Sequence, residues 1–250
     1  LFHVVNDDKN RDSDPIAGKV QYDSRFQGYG LAGPFPFIKG LSYFGEYISL
    51  RGKNFGRAEA RDTAPRDHVV AFAYDVGLRY SFAANKYTPS VYAQYSNASG
   101  DPDRTTATIG STLVPAPGAG NTPGTADNAF QPFGGLSMGY AFAPSFSNIR
   151  VWKLGGSIKP FKDFRWMNNS TMTIDYYVYK KDVSTGPTSD PVGGIDSGRD
   201  NIGNEWNVSL KWKILSDFKS DFRVGIFRPG EVYTTSTAET YIKYKFSVDL

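Results

Sequence analysis

The sequence predicts an all-β protein, a transmembrane antiparallel up-and-down β-barrel, and three observations carry that reading. The first is a long, strict alternation. Between residues 69 and 82, Val70, Phe72, Tyr74, Val76, Leu78, Tyr80 and Phe82 share one strand face, while Ala71, Ala73, Asp75, Gly77, Arg79 and Ser81 share the other. A tilted strand needs about ten residues to cross a bilayer, whereas strands in soluble proteins usually run to about five or six. The second is that the segments between strands alternate between long and short, as external loops and periplasmic turns do in outer-membrane barrels. The third is compositional. Only 40% of residues are apolar and no run approaches a membrane-spanning helix, yet aromatics reach 15%, with 16 Tyr and 18 Phe.

About ten strands follow in order, each of a type expected for a barrel. Residues 1–6 are already extended (Leu1-Phe2-His3-Val4-Val5). Residues 18–31 form the second strand, phased so that Lys19, Asp23 and Arg25 face inward. In the third, 41–51, an inward Glu46 takes Phe44, Ile48 and Leu50 with it, and pattern alone leaves the phase open. Strands 69–82 and 87–98 come next. In 149–160, Trp152, Leu154, Gly156 and Ile158 oppose Lys153, Gly155, Ser157 and Lys159. In 171–181, Met172, Ile174, Tyr176 and Val178 oppose Thr171, Thr173, Asp175 and Tyr177. In 205–214, Trp206, Val208, Leu210, Trp212 and Ile214 oppose Glu205, Asn207, Ser209, Lys211 and Lys213. Strand 222–228 precedes 238–250, where Ile242, Tyr244, Phe246, Val248 and Leu250 oppose Tyr241, Lys243, Lys245, Ser247 and Asp249. A soluble sandwich also alternates, but it rarely needs strands this long.

Residues 7–17, 52–68, 99–148, 182–204 and 229–237 are the long connections. Residues 32–40, 83–86, 161–170 and 215–221 are the short ones, with turn formers such as Gly33, Pro34, Asn85, Asn168 and Asn169. The 99–148 connection is rich in Gly and Pro and far longer than ordinary loops. It is expected to lie outside the membrane or to fold into the lumen, with Phe133–Phe142 as a plug or a short hairpin. The whole of 1–250 reads as one outer-membrane domain. An uncovered strand edge in lipid leaves backbone groups unpaired. An N-terminal portion is therefore expected to be missing, or to be supplied by another chain that completes or fills the barrel.

Several function classes fall away. There is no cysteine, hence no disulfide, zinc–thiolate site or cysteine nucleophile. A net charge of +3 gives no reason to expect a nucleic-acid partner. His3 and His68 are the only histidines, and no Ser-His-Asp grouping accompanies them. Gly28-Tyr29-Gly30 and Gly134-Gly135 lack the strand–helix setting of a phosphate loop. Asp7, Asp8, Asp12 and Asp14 have the oxygen chemistry of calcium ligands but not the glycine and terminal glutamate of a calcium loop. Asp182, Asp190, Asp196 and Asp200 are read in the same way, as solvated loop residues. No catalytic residue, metal or cofactor is predicted.

Charge is where the sequence does point to a function. A charge on the lipid face costs about 2–4 kcal/mol at mid-bilayer, so strand charges belong inside. The phases above place eleven basic residues inward: Lys19, Arg25, Arg79, Lys153, Lys159, Lys181, Lys211, Lys213, Arg223, Lys243 and Lys245. Four acidic ones, Asp23, Asp75, Asp175 and Glu205, join them. A basic wall concentrates anions and lowers their entry barrier. Ladder ion pairs in a solvated interior are the plainer reading of the same residues. Tyr177, Tyr179 and Tyr241 also point inward and would suit a sugar track, whereas Trp152, Trp206 and Trp212 point outward, to the membrane boundaries.

The C-terminal third resembles the alginate-export family of outer-membrane porins. The resemblance rests on Ile149-Arg150-Val151-Trp152-Lys153-Leu154-Gly155-Gly156-Ser157-Ile158-Lys159-Pro160-Phe161 and on the tyrosine-rich strand Thr173-Ile174-Asp175-Tyr176-Tyr177-Val178-Tyr179. It continues in Gly203-Asn204-Glu205-Trp206-Asn207-Val208, a strand opening on G-x-E, and in Gly225-Ile226-Phe227-Arg228-Pro229-Gly230 before the last strand. None of these motifs is catalytic. The resemblance implies a larger barrel of about 18 strands, placed in the outer membrane of a Gram-negative bacterium. Such barrels commonly finish in Phe or Trp, and Leu250 stands there instead. The expected function is passive passage of an anionic polysaccharide or other anionic solute, with outer-membrane lipid as the surrounding partner. A structural barrel that anchors or sheathes a filament or an electron-transfer partner is the alternative, and a barrel enzyme such as a lipase or protease is the third.

Overall fold

The structure is a computed structural model. It describes residues 2–6, 22–55, 66–103, 107–109, 112–114, 124–132, 136, 138–187, 198–214, 218–234 and 236–248. The strands are β1 (Phe2–Asn6), β2 (Tyr22–Pro34), β3 (Leu41–Phe55), β4 (Arg66–Ser81), β5 (Ser90–Ala98), β6 (Ala107–Ile109), β7 (Thr112–Val114), β8 (Ile149–Ile158), β9 (Ser170–Lys180), β10 (Asn201–Lys213), β11 (Phe218–Pro229) and β12 (Glu239–Val248). Ten of them form one sheet in the order β1-β2-β3-β4-β5-β8-β9-β10-β11-β12, and β6-β7 is a separate hairpin inside the long connection. Every pairing in both sheets is antiparallel. β1 and β12 are the two edges, and the sheet does not close on itself.

This meander is the predicted up-and-down order. Consecutive strands joined by tight turns meet with the least loss of chain freedom. β3 and β4 reach 15 and 16 residues, long enough to cross a bilayer at a tilt. Among the described residues there is no helix.

The two faces of the sheet are inverted relative to a soluble protein. On β4 the buried residues are Val69, Ala71 and Ala73, while Phe72, Val76 and Leu78 are exposed. Leu154, Trp206, Ile226, Ile242, Tyr244 and Phe246 are likewise exposed on later strands. A soluble sandwich would enclose Phe72, Leu78 and Phe246 in a dry centre. Here they form a continuous apolar outer surface, of a size that soluble monomers do not leave in water and that acyl chains cover.

Pairing also resolves the phase of β3. Glu46 stands opposite the inward Asp75 and Ile48 opposite Ala73, so Phe44, Ile48 and Leu50 face inward with Glu46. The same register corrects β2. Arg25 stands opposite Arg51 and Asp23 opposite Lys53, both on the outward parity, whereas Phe26 stands opposite the inward Leu50. Arg25 therefore points outward, not into the lumen. The cause is Phe26, which is 5% exposed and packs edge-on against Phe130 at 6.2 Å. An apolar cluster on the inner face captures the aromatic side chain and turns the neighbouring Arg25 out. Lys19, residues 7–17 and the side chain of Asp23 lie outside the described residues.

That cluster is made by the long connection. Phe130, Met138 and Phe142 are buried in one cluster with inner-face residues including Phe26, Leu50, Ala71, Tyr179 and Phe227. Backbone groups dock the segment where β5 has ended. Asp127 donates its N–H to His68 (2.8 Å) and accepts from Val70 (2.9 Å), so it extends the free edge of β4. Phe130 N–H donates to the Ser99 carbonyl at 2.9 Å. Of the expected plug or hairpin at Phe133–Phe142, residues 133–135 and 137 lie outside the described residues, and 138–142 are irregular and folded inward. The hairpin of this connection is β6-β7, further upstream.

Candidate functional site: a basic hollow beneath an infolded loop

The inner face divides into two levels. The level beside the long loops is filled by residues 127–132 and 138–148. The level beside the short turns is an open hollow of about 570 Å³ lined by β4, β5 and β8–β12.

Glu205 anchors the filled level. It is fully buried on β10. Its carboxylate accepts backbone N–H bonds from Tyr140 (2.5 Å), Ala141 (2.9 Å) and Phe142 (2.9 Å), and lies 3.3 Å from the Tyr179 hydroxyl. Tyr179 also donates to the Met138 carbonyl at 3.1 Å. Three consecutive N–H groups converging on one carboxylate require a tight backbone, and Gly139 supplies it at φ +91°. A Cβ there would meet the Tyr179 hydroxyl at 2.5 Å and the Glu205 carboxylate at 2.6 Å. Phe142 stacks on Phe227 at 4.5 Å and closes the cluster. The G-x-E and F-x-P-G motifs meet here. Gly203, at φ +140°, lies against the carbonyl of Arg228, and Gly230 N–H donates to the Ile202 carbonyl at 2.7 Å. Motifs read from sequence as strand ends thus hold the ends of β10 and β11 where the loop docks.

The hollow carries the charge. On the inner face, Thr171, Lys211, Asp221 and Lys245 form one cross-strand row, and Thr173, Ser209, Arg223 and Lys243 form the next. Lys213, Lys219 and Ser247 follow toward the turns. Arg223 is held by Asp221, with 2.5 Å between Nη2 and Oδ2, and its guanidinium lies 5.3 Å from the Tyr140 ring. Arg79 closes the wall from β4, 5.1 Å from the Tyr92 ring. Among the described residues, seven basic side chains (Arg79, Lys211, Lys213, Lys219, Arg223, Lys243, Lys245) and one carboxylate, Asp221, line this space. Lys213 faces Lys219 directly and Arg223 faces Lys243. Like charges directly opposite across strands destabilise a sheet, so the arrangement is retained against a local cost.

Not every predicted site residue joins the hollow. Lys153 sits between the levels, 3.7 Å from Asp175 and 5.2 Å from each of the Tyr92 and Tyr177 rings. Tyr92 donates its hydroxyl to the same Asp175. Lys153 is thus ion-paired, the plainer of the two readings offered for it. Lys159 lies beyond the end of β8, where its N–H bonds the Tyr87 carbonyl at 2.9 Å. Lys181 is buried beyond β9 and donates to the Ser184 carbonyl at 3.0 Å. Tyr177 and Tyr179 face inward but are buried, stacked on one another at 5.7 Å beneath the loop, so neither offers a face to a passing sugar in this arrangement. Tyr241 faces inward from β12, 6.4 Å from Tyr140. Arg25 is outside altogether. Sequence reasoning missed Lys219 and Asp221, because β11 begins at Phe218 rather than 222. The alternation of Asp221, Arg223 and Gly225 with Phe222, Val224 and Ile226 is the signal that finds them. Among the described residues, no group of three or more His, Asp or Glu is placed to hold a metal ion.

The outer face carries aromatic boundary residues as expected. Trp212 donates its indole N–H to the Trp166 carbonyl at 2.9 Å beside the short turns, and Trp152 and Trp206 are exposed outward.

No curated protein sequence matches the chain. Among solved structures, it is similar to OccK11 (OpdR) of Pseudomonas aeruginosa, with 12% identity and a TM-score of 0.47 over 89% of this chain and 49% of that one. The chain therefore spans about half the length of that relative. It is similar also to OccK10 (OpdN) of the same organism, at 15% identity and TM-score 0.37 over 95% of this chain and 70% of that one. The NanC porin gives 11% and 0.34 over 91% and 94%. Residues 3–245, nearly the whole chain, match the alginate export family. Together with the outward apolar band and the antiparallel meander, this match settles the placement: the chain belongs to the alginate export family and is a β-barrel protein of the bacterial outer membrane.

Proposed function

We propose that this chain builds the wall of a passive outer-membrane passage for an anionic polysaccharide or another anionic solute. The observation that carries the reading is the charge imbalance among the described residues of the hollow, where Arg79, Lys211, Lys213, Arg223, Lys243 and Lys245 face one carboxylate, Asp221. Held about 7 Å away in water, each cation contributes about 0.6 kcal/mol of attraction to an anion before screening. The Debye length at physiological salt is about 8 Å, so several of them act together across a hollow of this size. Lysines suit the task. Their ammonium groups are hydrated point charges on flexible stems, which attract an anion without gripping it in a fixed geometry. No bond is made or broken. The infolded loop covers the inner face at the external end, so passage of a polymer requires it to move from its Glu205 anchor.

The test is the reversal potential of the intact protein in planar bilayers under a salt gradient. Anion selectivity that shifts toward cations in Lys211→Glu/Lys243→Glu is the expected result, and a cation-selective wild-type pore overturns the proposal. The loop packing favours one second reading, a filled structural barrel that anchors or sheathes another surface component. That reading expects no conductance either from wild type or from Glu205→Ala, in which the loop anchor is gone.

A further inference from the structure

Two arginines stand face to face on the outside of this barrel wall. Arg25 on β2 is the direct cross-strand partner of Arg51 on β3, and both side chains are exposed on the outward parity. Lys53 is the next outward residue of β3, with His68 of β4 opposite it, both exposed. The backbone register pairs Lys53 with Asp23 of β2. Among the described residues, no ion pair involves Arg25, Arg51 or Lys53.

On physical grounds this placement needs an explanation. Outward positions are the expensive ones for charge, and two guanidinium groups directly opposite one another repel. Height supplies the first part of the answer. Arg25 lies nine residues along β2 from Pro34 at the short-turn end. At about 3.3 Å per residue that is about 30 Å of strand, or about 23 Å along the membrane normal at a tilt of about 40°, against an apolar band about 25 Å tall. Between the turn and the arginines the outer face carries Leu31, Tyr29, Tyr43, Tyr47, Leu78 and Phe72. The arginine pair therefore sits at the upper margin of the band, on the side of the long external loops, at the depth of lipid headgroups. An anion bridging the two groups supplies the second part. The guanidinium fork matches phosphate in a two-pronged geometry, and a shared phosphate converts the cross-strand repulsion into attraction.

We propose that Arg25, Arg51 and Lys53 form a binding site for the phosphate groups of a phosphorylated glycolipid in the external leaflet. The inference rests on the outer-membrane placement of the chain and is independent of what passes through the lumen. The site tethers lipid to the wall formed by β2–β4, beside the outer end of the docked loop.

The experiment uses the intact protein in detergent, offered bisphosphorylated lipid A, the dephosphorylated lipid, or inorganic phosphate, with bound lipid counted by native mass spectrometry. Wild type is expected to retain the bisphosphorylated lipid and not the dephosphorylated one. Arg25→Gln/Arg51→Gln is expected to retain about thirty-fold less, from roughly one kcal/mol for each basic residue near an anionic surface. Arg25→Lys/Arg51→Lys keeps the charge and is expected to recover part of the binding. Equal retention of the phosphorylated and dephosphorylated lipids by wild type overturns the proposal, and so does equal retention by wild type and the glutamine pair. Displacement of the lipid by an equal concentration of inorganic phosphate overturns it too, since that marks a free-anion site. The wild-type arm decides the matter even if the glutamine variant fails to fold.

Discussion

Removing the Glu205 carboxylate tests how the loop is held. In Glu205→Ala, the N–H groups of Tyr140, Ala141 and Phe142 lose acceptors at 2.5, 2.9 and 2.9 Å at once. Hydrogen bonds to a charged acceptor contribute about 1.5–3 kcal/mol each. Three donors sharing one acceptor are not additive, and the loss expected is about 3–5 kcal/mol. At about 1.4 kcal/mol per factor of ten, the open loop becomes roughly a hundred to a few thousand times more populated. Amide hydrogen exchange read by mass spectrometry measures this directly. Peptides covering 138–148 should exchange faster by that factor, while the β8 and β9 strands, whose ladders are untouched, keep their protection. Glu205→Gln should fall between. It keeps an oxygen for Tyr140 and Ala141 but turns an amide NH₂ toward Phe142 N–H and the Tyr179 hydroxyl, for a loss of about 1–2 kcal/mol. Unchanged exchange at Tyr140–Phe142 in Glu205→Ala would refute the anchor, and the aromatic packing of Phe130 and Phe142 would then hold the loop unaided.

Four further outcomes follow from the same geometry. Gly139→Ala places a methyl group against Tyr179 and Glu205 at φ +91°, and should loosen the loop by about 1–3 kcal/mol, seen as faster exchange over the same peptides. Anion selectivity should fall as salt rises from 0.05 to about 0.5 M, because the Debye length drops below the spacing of the wall charges; a salt-independent reversal ratio would argue against an electrostatic wall. At the short-turn end, the ion pair of Lys86 with Asp163 lowers the carboxyl pKa and raises the ammonium pKa. The contact between the two turns should therefore persist from neutral pH down to below the ordinary carboxylate range, weaken as pH falls through the depressed Asp163 value, and weaken again above the ordinary lysine range; carboxyl NMR shifts in wild type and Lys86→Met report the difference. Trp152 and Trp206 face acyl chains, so brominated lipid should quench their fluorescence, whereas a water-soluble quencher confined to the external side should not.

Much of the architecture is legible in period-two alternation. The strands from 69 onward, their inward and outward parities and the long–short rhythm of connections appear in the structure as read, with boundaries moved by a few residues. The family resemblance, quoted for residues 149–250, extends over 3–245. The candidate site is legible in part. Arg79, Lys211, Lys213, Arg223, Lys243 and Lys245 meet in one hollow, while Lys153, Lys159 and Lys181 are engaged elsewhere and Arg25 turns outward.

Alternation is a local property, and it marks two faces without saying which is wet. For β4 from Val70 onward and β10 from Trp206 onward, where one face is wholly apolar, the bilayer decides, and the residues alone determine the outcome. For β2, Ser24, Phe26 and Gly28 alternate with Arg25, Gln27 and Tyr29, so neither face is clearly apolar. There the choice falls to Phe130, more than a hundred residues along the chain, which offers Phe26 a dry partner on the inner face. Tyr179 is decided in the same way. Its parity is set by its own strand, but the loop carrying Met138 and Phe142 converts it from a lining residue into a buried one. Membrane burial acts residue by residue and is written into the strand, whereas loop packing is a long-range contact that exists only once the sheet has formed.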